Sequence, residues 1–215
     1  MYIYIPIELL QILCHFEGHF SKRMFGYYIG FIWSLLSMQN RKVVTNIRRH
    51  SFFIRKHIAS WEKFIGEYTW NHIDVVRSML KLLLKEYISS FMVYGKLLIV
   101  VDTTLTAKNT AVMFGTQKWR NHSGNADAGQ YVCGHHWGLL GIVGKFLEKR
   151  YLCFPVLMRL ITGKTENWQW ICGEKGLERL TFWDVVHAMI VEVQQWLCIE
   201  SRVVVDAYFS NNILY

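Results

Sequence analysis

Two short apolar runs in this chain each end on a single aspartate: Leu97-Leu98-Ile99-Val100-Val101-Asp102 and Arg202-Val203-Val204-Val205-Asp206. Runs this rich in Val and Ile read as buried strands. A carboxylate at the end of such a strand is a hard oxygen ligand suited to Mg²⁺ or Mn²⁺. If the two strands lie side by side and parallel, Asp102 and Asp206 reach the same point in space. An aspartate after a strand is also a common turn former. Here Thr103-Thr104 and Ala207-Tyr208 follow, not the Gly or Asn of a tight turn.

The elements around these acids must bring them together. From about Gly95 onward, strand-like runs alternate with glycine-bearing loops. After the Asp102 strand, residues 111–117 and 135–143 read as short strands, and Pro155–Ile161 as another. A helix begins at Thr181, where Thr181 and Asp184 make a capping-box-like pair. Its buried stripe is Phe182, Val185, Val186, Met189, Val193, Trp196 and Leu197. The Asp206 strand follows at once, and a crossover helix lets it return parallel to the first strand. The expected class is α/β: a partial ribonuclease-H-like domain over residues 95–215, a mixed sheet with a crossover helix. An all-helical, basic domain over residues 1–94 precedes it.

Residues 71–89 read as one amphipathic helix, with Ile73, Val76, Met79, Leu80, Leu83, Leu84 and Tyr87 on its apolar side. Upstream, the segment from Arg41 to His57 holds many cations and no acid. Arg41, Arg48 and Arg55 stand at heptad spacing, as do Lys42, Arg49 and Lys56. On a continuous helix the two rows form one basic stripe. A break near His50-Ser51 would give a helix-turn-helix instead. Either form is a candidate for contacts with phosphates; a solvated helix face is the simpler alternative.

Composition agrees with a nucleic-acid partner. The 215 residues carry 24 Lys and Arg against 16 Asp and Glu, a formal charge of +8. A surplus of this size favours a polyanion. The five cysteines are odd in number and scattered, without CxxC spacing. They read as reduced thiols of a cytosolic protein. Cys133-Gly134-His135-His136 lacks a second ligand pair at finger spacing, so zinc is not expected. His135 and His136 read first as packing and hydrogen-bonding groups. Lys118 and Arg120 flank Trp119 in what reads as the loop after the first hairpin, a second place for DNA contact. The start, Met1 to Pro6, lacks the basic leader of a signal peptide. Met24 to Asn40 is uncharged but holds Ser, Gln and Gly, so a buried helix is preferred to a membrane span.

At this point the residues resemble a known family: the DDE-type insertion-sequence transposases of the DDE superfamily endonuclease group. The resemblance rests on Val101-Asp102-Thr103-Thr104 and on Gly134-His135-His136-Trp137-Gly138. It rests also on Phe154-Pro155 through Leu160, and on Val203-Val204-Val205-Asp206-Ala207-Tyr208. It covers roughly residues 95–212. It implies an enzyme that cuts double-stranded DNA at transposon ends and joins it to a target, using two Mg²⁺ or Mn²⁺ ions held by three acids. Asp102 matches the first acid, bridging both ions, and Asp206 the second. The third, a glutamate further downstream, has no counterpart before Tyr215; Glu166, Glu174, Glu178 and Glu192 all precede Asp206. The expectation is therefore a C-terminally truncated transposase that binds DNA and cuts little or not at all. It would be cytoplasmic and associated with the nucleoid, without a membrane, and with self-association left open. The rival readings are a non-catalytic DNA-binding derivative of such an enzyme and a protein anchored in a membrane through Met24 to Asn40.

Overall fold

The computed structural model describes residues 5–39, 41–51, 54, 56–68, 70–108, 113, 115–120, 130–146, 150–161 and 182–205. The chain divides into two compact units, residues 1–79 and 80–215, with the division inside one helix. Helices and a mixed sheet make it an α/β protein.

In the first unit the described elements are helical. They are α1 (Ile7–Cys14), a 3-10 turn (Glu17–His19), α2 (Lys22–Ser37), α3 (Val44–His50), α4 (Ile58–Gly66) and the start of α5 (His72–Phe91). Ser21 caps α2 by accepting from the Met24 N–H at 3.4 Å. The basic segment takes the broken form. Helix α3 stops at His50, Ser51 leaves the helical region (φ −83°, ψ 80°), and α4 starts after His57, whose ring accepts from the Ala59 N–H at 3.2 Å. The core is aromatic. Tyr27 meets Trp61 edge-on at 5.1 Å, and Phe64 stacks on Trp70 at 5.7 Å. Ser51 is buried against α2, where a Cβ added at Gly30 would lie 2.6 Å from its hydroxyl.

In the second unit the strands are β1 (Met92–Val93), β2 (Lys96–Ala107), β3 (Gln117–Arg120), β4 (Tyr131–Phe146), β5 (Arg150–Ile161) and β6 (Ser201–Val205), with α6 (Phe182–Leu197) before the last. Tyr94 (φ 51°) and Gly95 (φ 77°) turn the chain between β1 and β2. Two positive φ values in a two-residue hairpin loop match the right-handed twist of the strands. Strand β2 lies between β4, antiparallel, and β6, parallel; β5 flanks β4, so the order is β5-β4-β2-β6. Strand β3 pairs with the start of β4.

The expected strand at 111–117 is corrected. The described strand is β3 at 117–120, and residues 111, 112 and 114 lie outside the described set, as does Thr181 of the expected cap. Strands β4 and β5 are longer than expected, because their antiparallel ladder runs on through Val143↔Cys153, Gly144↔Leu152 and Lys145↔Tyr151 to Phe146↔Arg150.

Opposed residues on neighbouring strands share a face. One face is buried: Leu97, Ile99 and Val101 of β2 and Leu140 and Ile142 of β4 lie on it. Helix α6 covers it with Val185, Val186, Met189 and Val193, all at most 1% exposed. Gly138 permits the close approach, since a Cβ there would lie 3.2 Å from the Met189 sulfur. Arg159 of β5 donates to both carboxylate oxygens of Glu192 on α6, at 3.2 and 2.9 Å. The other face is more open, with Met158 55% and Val204 44% exposed. Among the described residues, no helix is long and apolar enough to cross a membrane.

Candidate functional site

Asp102 lies on the open face. The parallel ladder of β2 and β6 runs from Leu97↔Ser201 to Val101↔Val205. Strand β2 does not end there, as the sequence suggested. It continues to Ala107, held on its other edge by β4 through Asp102↔Leu139 to Ala107↔Gly134. Asp102 is thus the first residue of β2 past the described β6 ladder, and the burial pattern changes at this point. Residues 96–101 alternate buried and half-buried, whereas Asp102, Thr104, Thr106 and Ala107 are exposed.

The Asp102 carboxylate is exposed, and its Oδ1 accepts from the Thr103 N–H at 2.7 Å. A turn is not what holds it, since strand continues on both sides. Asp206 lies outside the described residues; in sequence it follows Val205, the last rung beside Val101. Among the described residues, no group of three or more His, Cys, Asp or Glu side chains is placed to hold a metal. The donor chemistry of Asp102, a hard and exposed carboxylate, fits one ligand of a divalent cation.

The basic residues of the first unit do not form a single-helix stripe. Arg41 and Lys42 precede α3, Arg48 and Arg49 sit in its last turn, Lys56 precedes α4, and Arg55 lies outside the described residues. All five described cations are exposed. Two are tied to backbone: Lys42 donates to the Leu35 carbonyl of α2 at 3.0 Å, and the Arg48 Nε to the Lys56 carbonyl at 3.1 Å. A cation at the C-terminal end of α2 complements its dipole. None of the five is ion-paired with a carboxylate among the described residues.

Lys118, Trp119 and Arg120 lie in strand β3, not in a loop. They alternate across the sheet. Trp119 is turned to the covered side, edge-on to His136 at 4.8 Å, with its Nε1 donating to the Gly134 carbonyl at 3.1 Å. That ring is engaged in packing. Lys118 and Arg120 are exposed on the other side, opposite Cys133 and Tyr131. Lys118 Nζ stands 5.3 Å from the centre of the Tyr131 ring. His135 and His136 are split between the two faces, and His135 meets the Trp137 ring at 5.8 Å. Cys14, Cys133, Cys153 and Cys198 are free thiols.

Sequence reasoning missed the row Tyr131, Cys133, His135 and Trp137 along β4. Its signal is alternation: every second residue from 131 to 137 shares the face of Asp102. No family model, no curated protein and no solved structure matches the chain.

Proposed function

We propose that residues 80–215 carry a ribonuclease-H-like core of the DDE type, whose chemistry is metal-dependent phosphodiester cleavage and transfer on DNA. The observation that carries this reading is the parallel register of β6 on β2, ending at Val101↔Val205, one residue before each aspartate. The strand order β5-β4-β2-β6, with α6 returning the chain to β6, supports this reading, since the first half of that fold requires it. Asp102 itself adds support. Aspartate is a poor strand former, yet it stands within a twelve-residue strand between Val101 and Thr103. Local rules are broken most often where function requires it.

In this reading Asp102 and Asp206 are the protein's metal ligands. A bound divalent ion would supply Lewis-acid stabilisation of the charge that develops on a phosphodiester. The chain's own part is to fix Asp102 through the main-chain ladder and to leave its outer face open to a large substrate. The cations around α3 would hold DNA by its phosphates. In the 215 residues no glutamate follows Asp206, so occupancy is a cleaner measurement than turnover. Titration of the full chain with Mn²⁺, read by electron paramagnetic resonance of the free ion, should give a site that Asp102→Asn weakens at least tenfold. Equal binding by both proteins would sink the reading. A non-catalytic DNA-binding protein is the second reading, favoured by the exposed, acid-free cations of α3. It predicts salt-dependent DNA binding with no Mn²⁺ site at Asp102.

A further inference from the structure

Asp102 does not stand alone on its face. Along β2, Thr104 and Thr106 follow it on the same side, both exposed. Across the ladder, Thr106 is opposed by His135. One rung further out on this face comes the pair Lys118↔Cys133, and beyond it Arg120↔Tyr131. At the strand rise, Thr106 is about 13 Å from Asp102 and the Arg120 rung about 26 Å from the Asp102 rung. The strip therefore begins at a carboxylate, passes two hydroxyls and an imidazole, and ends on two cations and a half-exposed aromatic ring. Neither Lys118 nor Arg120 is ion-paired with a carboxylate among the described residues.

We infer that this strip is a track for a single polynucleotide strand, with Lys118 and Arg120 holding phosphates, Tyr131 receiving a base, and the strand leading to Asp102. The assignment deepens the phosphodiester reading and rests on it. Charge complementarity selects the occupant: exposed cations with no carboxylate partner among the described residues, beside an aromatic ring on a sheet face, suit a phosphate backbone with planar bases. An acidic peptide would use the cations but not the ring. The sheet holds the strip in place, because β2 and β3 are both paired with β4 and meet at Gly134, which pairs with both Ala107 and Gln117. The Trp119 ring is not part of the track, since it lies on the opposite side.

The test is fluorescence anisotropy of a labelled mixed-sequence 20-nucleotide single strand with the full chain, in EDTA, over a salt series. Arg120→Glu should weaken binding at least tenfold and lower the salt slope by about 0.7, one phosphate's share on a single strand. Arg120→Gln, the milder change, should weaken it at least threefold. Arg202→Glu makes the same change of charge on the same face near Leu98, away from the strip, and should alter affinity by less than twofold. Circular dichroism melts confirm that each variant is folded. Equal losses for Arg120→Glu and Arg202→Glu would overturn the track, as would tighter binding of a duplex of the same length. The Mn²⁺ titration is separate. A lost Mn²⁺ site in Asp102→Asn, with strand binding indifferent to Arg120, removes the track alone. Intact Mn²⁺ binding with strand binding dependent on Arg120 removes the metal reading alone.

Discussion

The two units solve the problem of a core differently. In residues 1–79 the interior is built from rings: Tyr27, Trp61 and Phe64 are at most 1% exposed, and Phe20, Tyr28 and Trp70 pack around them. In the sheet unit it is mainly aliphatic, Leu97, Ile99, Leu140 and Ile142 against α6. Rings bring polar edges with them. The buried Tyr27 hydroxyl, Trp33 Nε1, Trp61 Nε1 and Ser51 hydroxyl all lie in the helical unit without a hydrogen-bond partner among the described residues. In the sheet unit the backbone satisfies itself in long ladders. The lesson concerns positioning: short helices joined by irregular chain display cations broadly, whereas paired strands fix a single carboxylate through the main chain.

The largest expected effect tests the reliance on rings. Trp61→Ala should destabilise the protein by about 3–5 kcal/mol, and Ile142→Ala in the sheet core by about 2–5 kcal/mol. Urea unfolding of both variants would sharpen the contrast, and a greater loss for Ile142→Ala would invert it. Next comes the backbone claim. A Cβ added at Gly134 would lie 2.3 Å from the Thr106 carbonyl oxygen, which belongs to the ladder itself. Gly134→Ala should therefore cost about 1–3 kcal/mol and reduce amide-exchange protection at Thr106 and Gln117; unchanged protection would show that the close approach is dispensable. The smallest effect, absent at neutral pH, belongs to the rings again. Burial pushes the Tyr28 hydroxyl from its ordinary value of 10.0 up to about 12. Between those values the unfolded chain loses a proton that the folded chain keeps, so stability falls as pH rises through this window. Tyr28→Phe should lessen that decline relative to the parent in alkaline urea titrations; identical slopes would remove the assignment.

Much of this fold was legible. The Val-rich runs mark β2 and β6, and a period-3.6 stripe marks α6, since burial of one side imposes these patterns; the stripe of α5 holds only in part, because Tyr87 leaves the helical region (φ −131°, ψ 24°) and is exposed. The parallel pairing of β2 and β6 follows from the helix between them. Other features were legible only in part or not at all. The break near His50-Ser51 stood as one of two forms of the basic segment, since no Gly or Pro decides between them; the broken form coincides with Ser51 packing against Gly30, a contact set by tertiary structure. Strand β2 runs past Asp102 because β4 remains beside it, which only pairing can reveal. Of the site, Asp102 was found from its run, and Lys118 and Arg120 from their charge. Their common face was not, because the face depends on the β3–β4 register.

The exposure of Asp102 has a consequence for inheritance. A surface group away from any packed feature usually shifts folding free energy by less than about 0.5 kcal/mol when replaced. Along β2 the scaffold is therefore kept by Leu97, Ile99 and Val101, and the acid after them, the metal ligand of the proposed reading, can be lost to drift without unfolding it. A descendant with an altered residue 102 would still fold, with the Lys118 and Arg120 rungs in place.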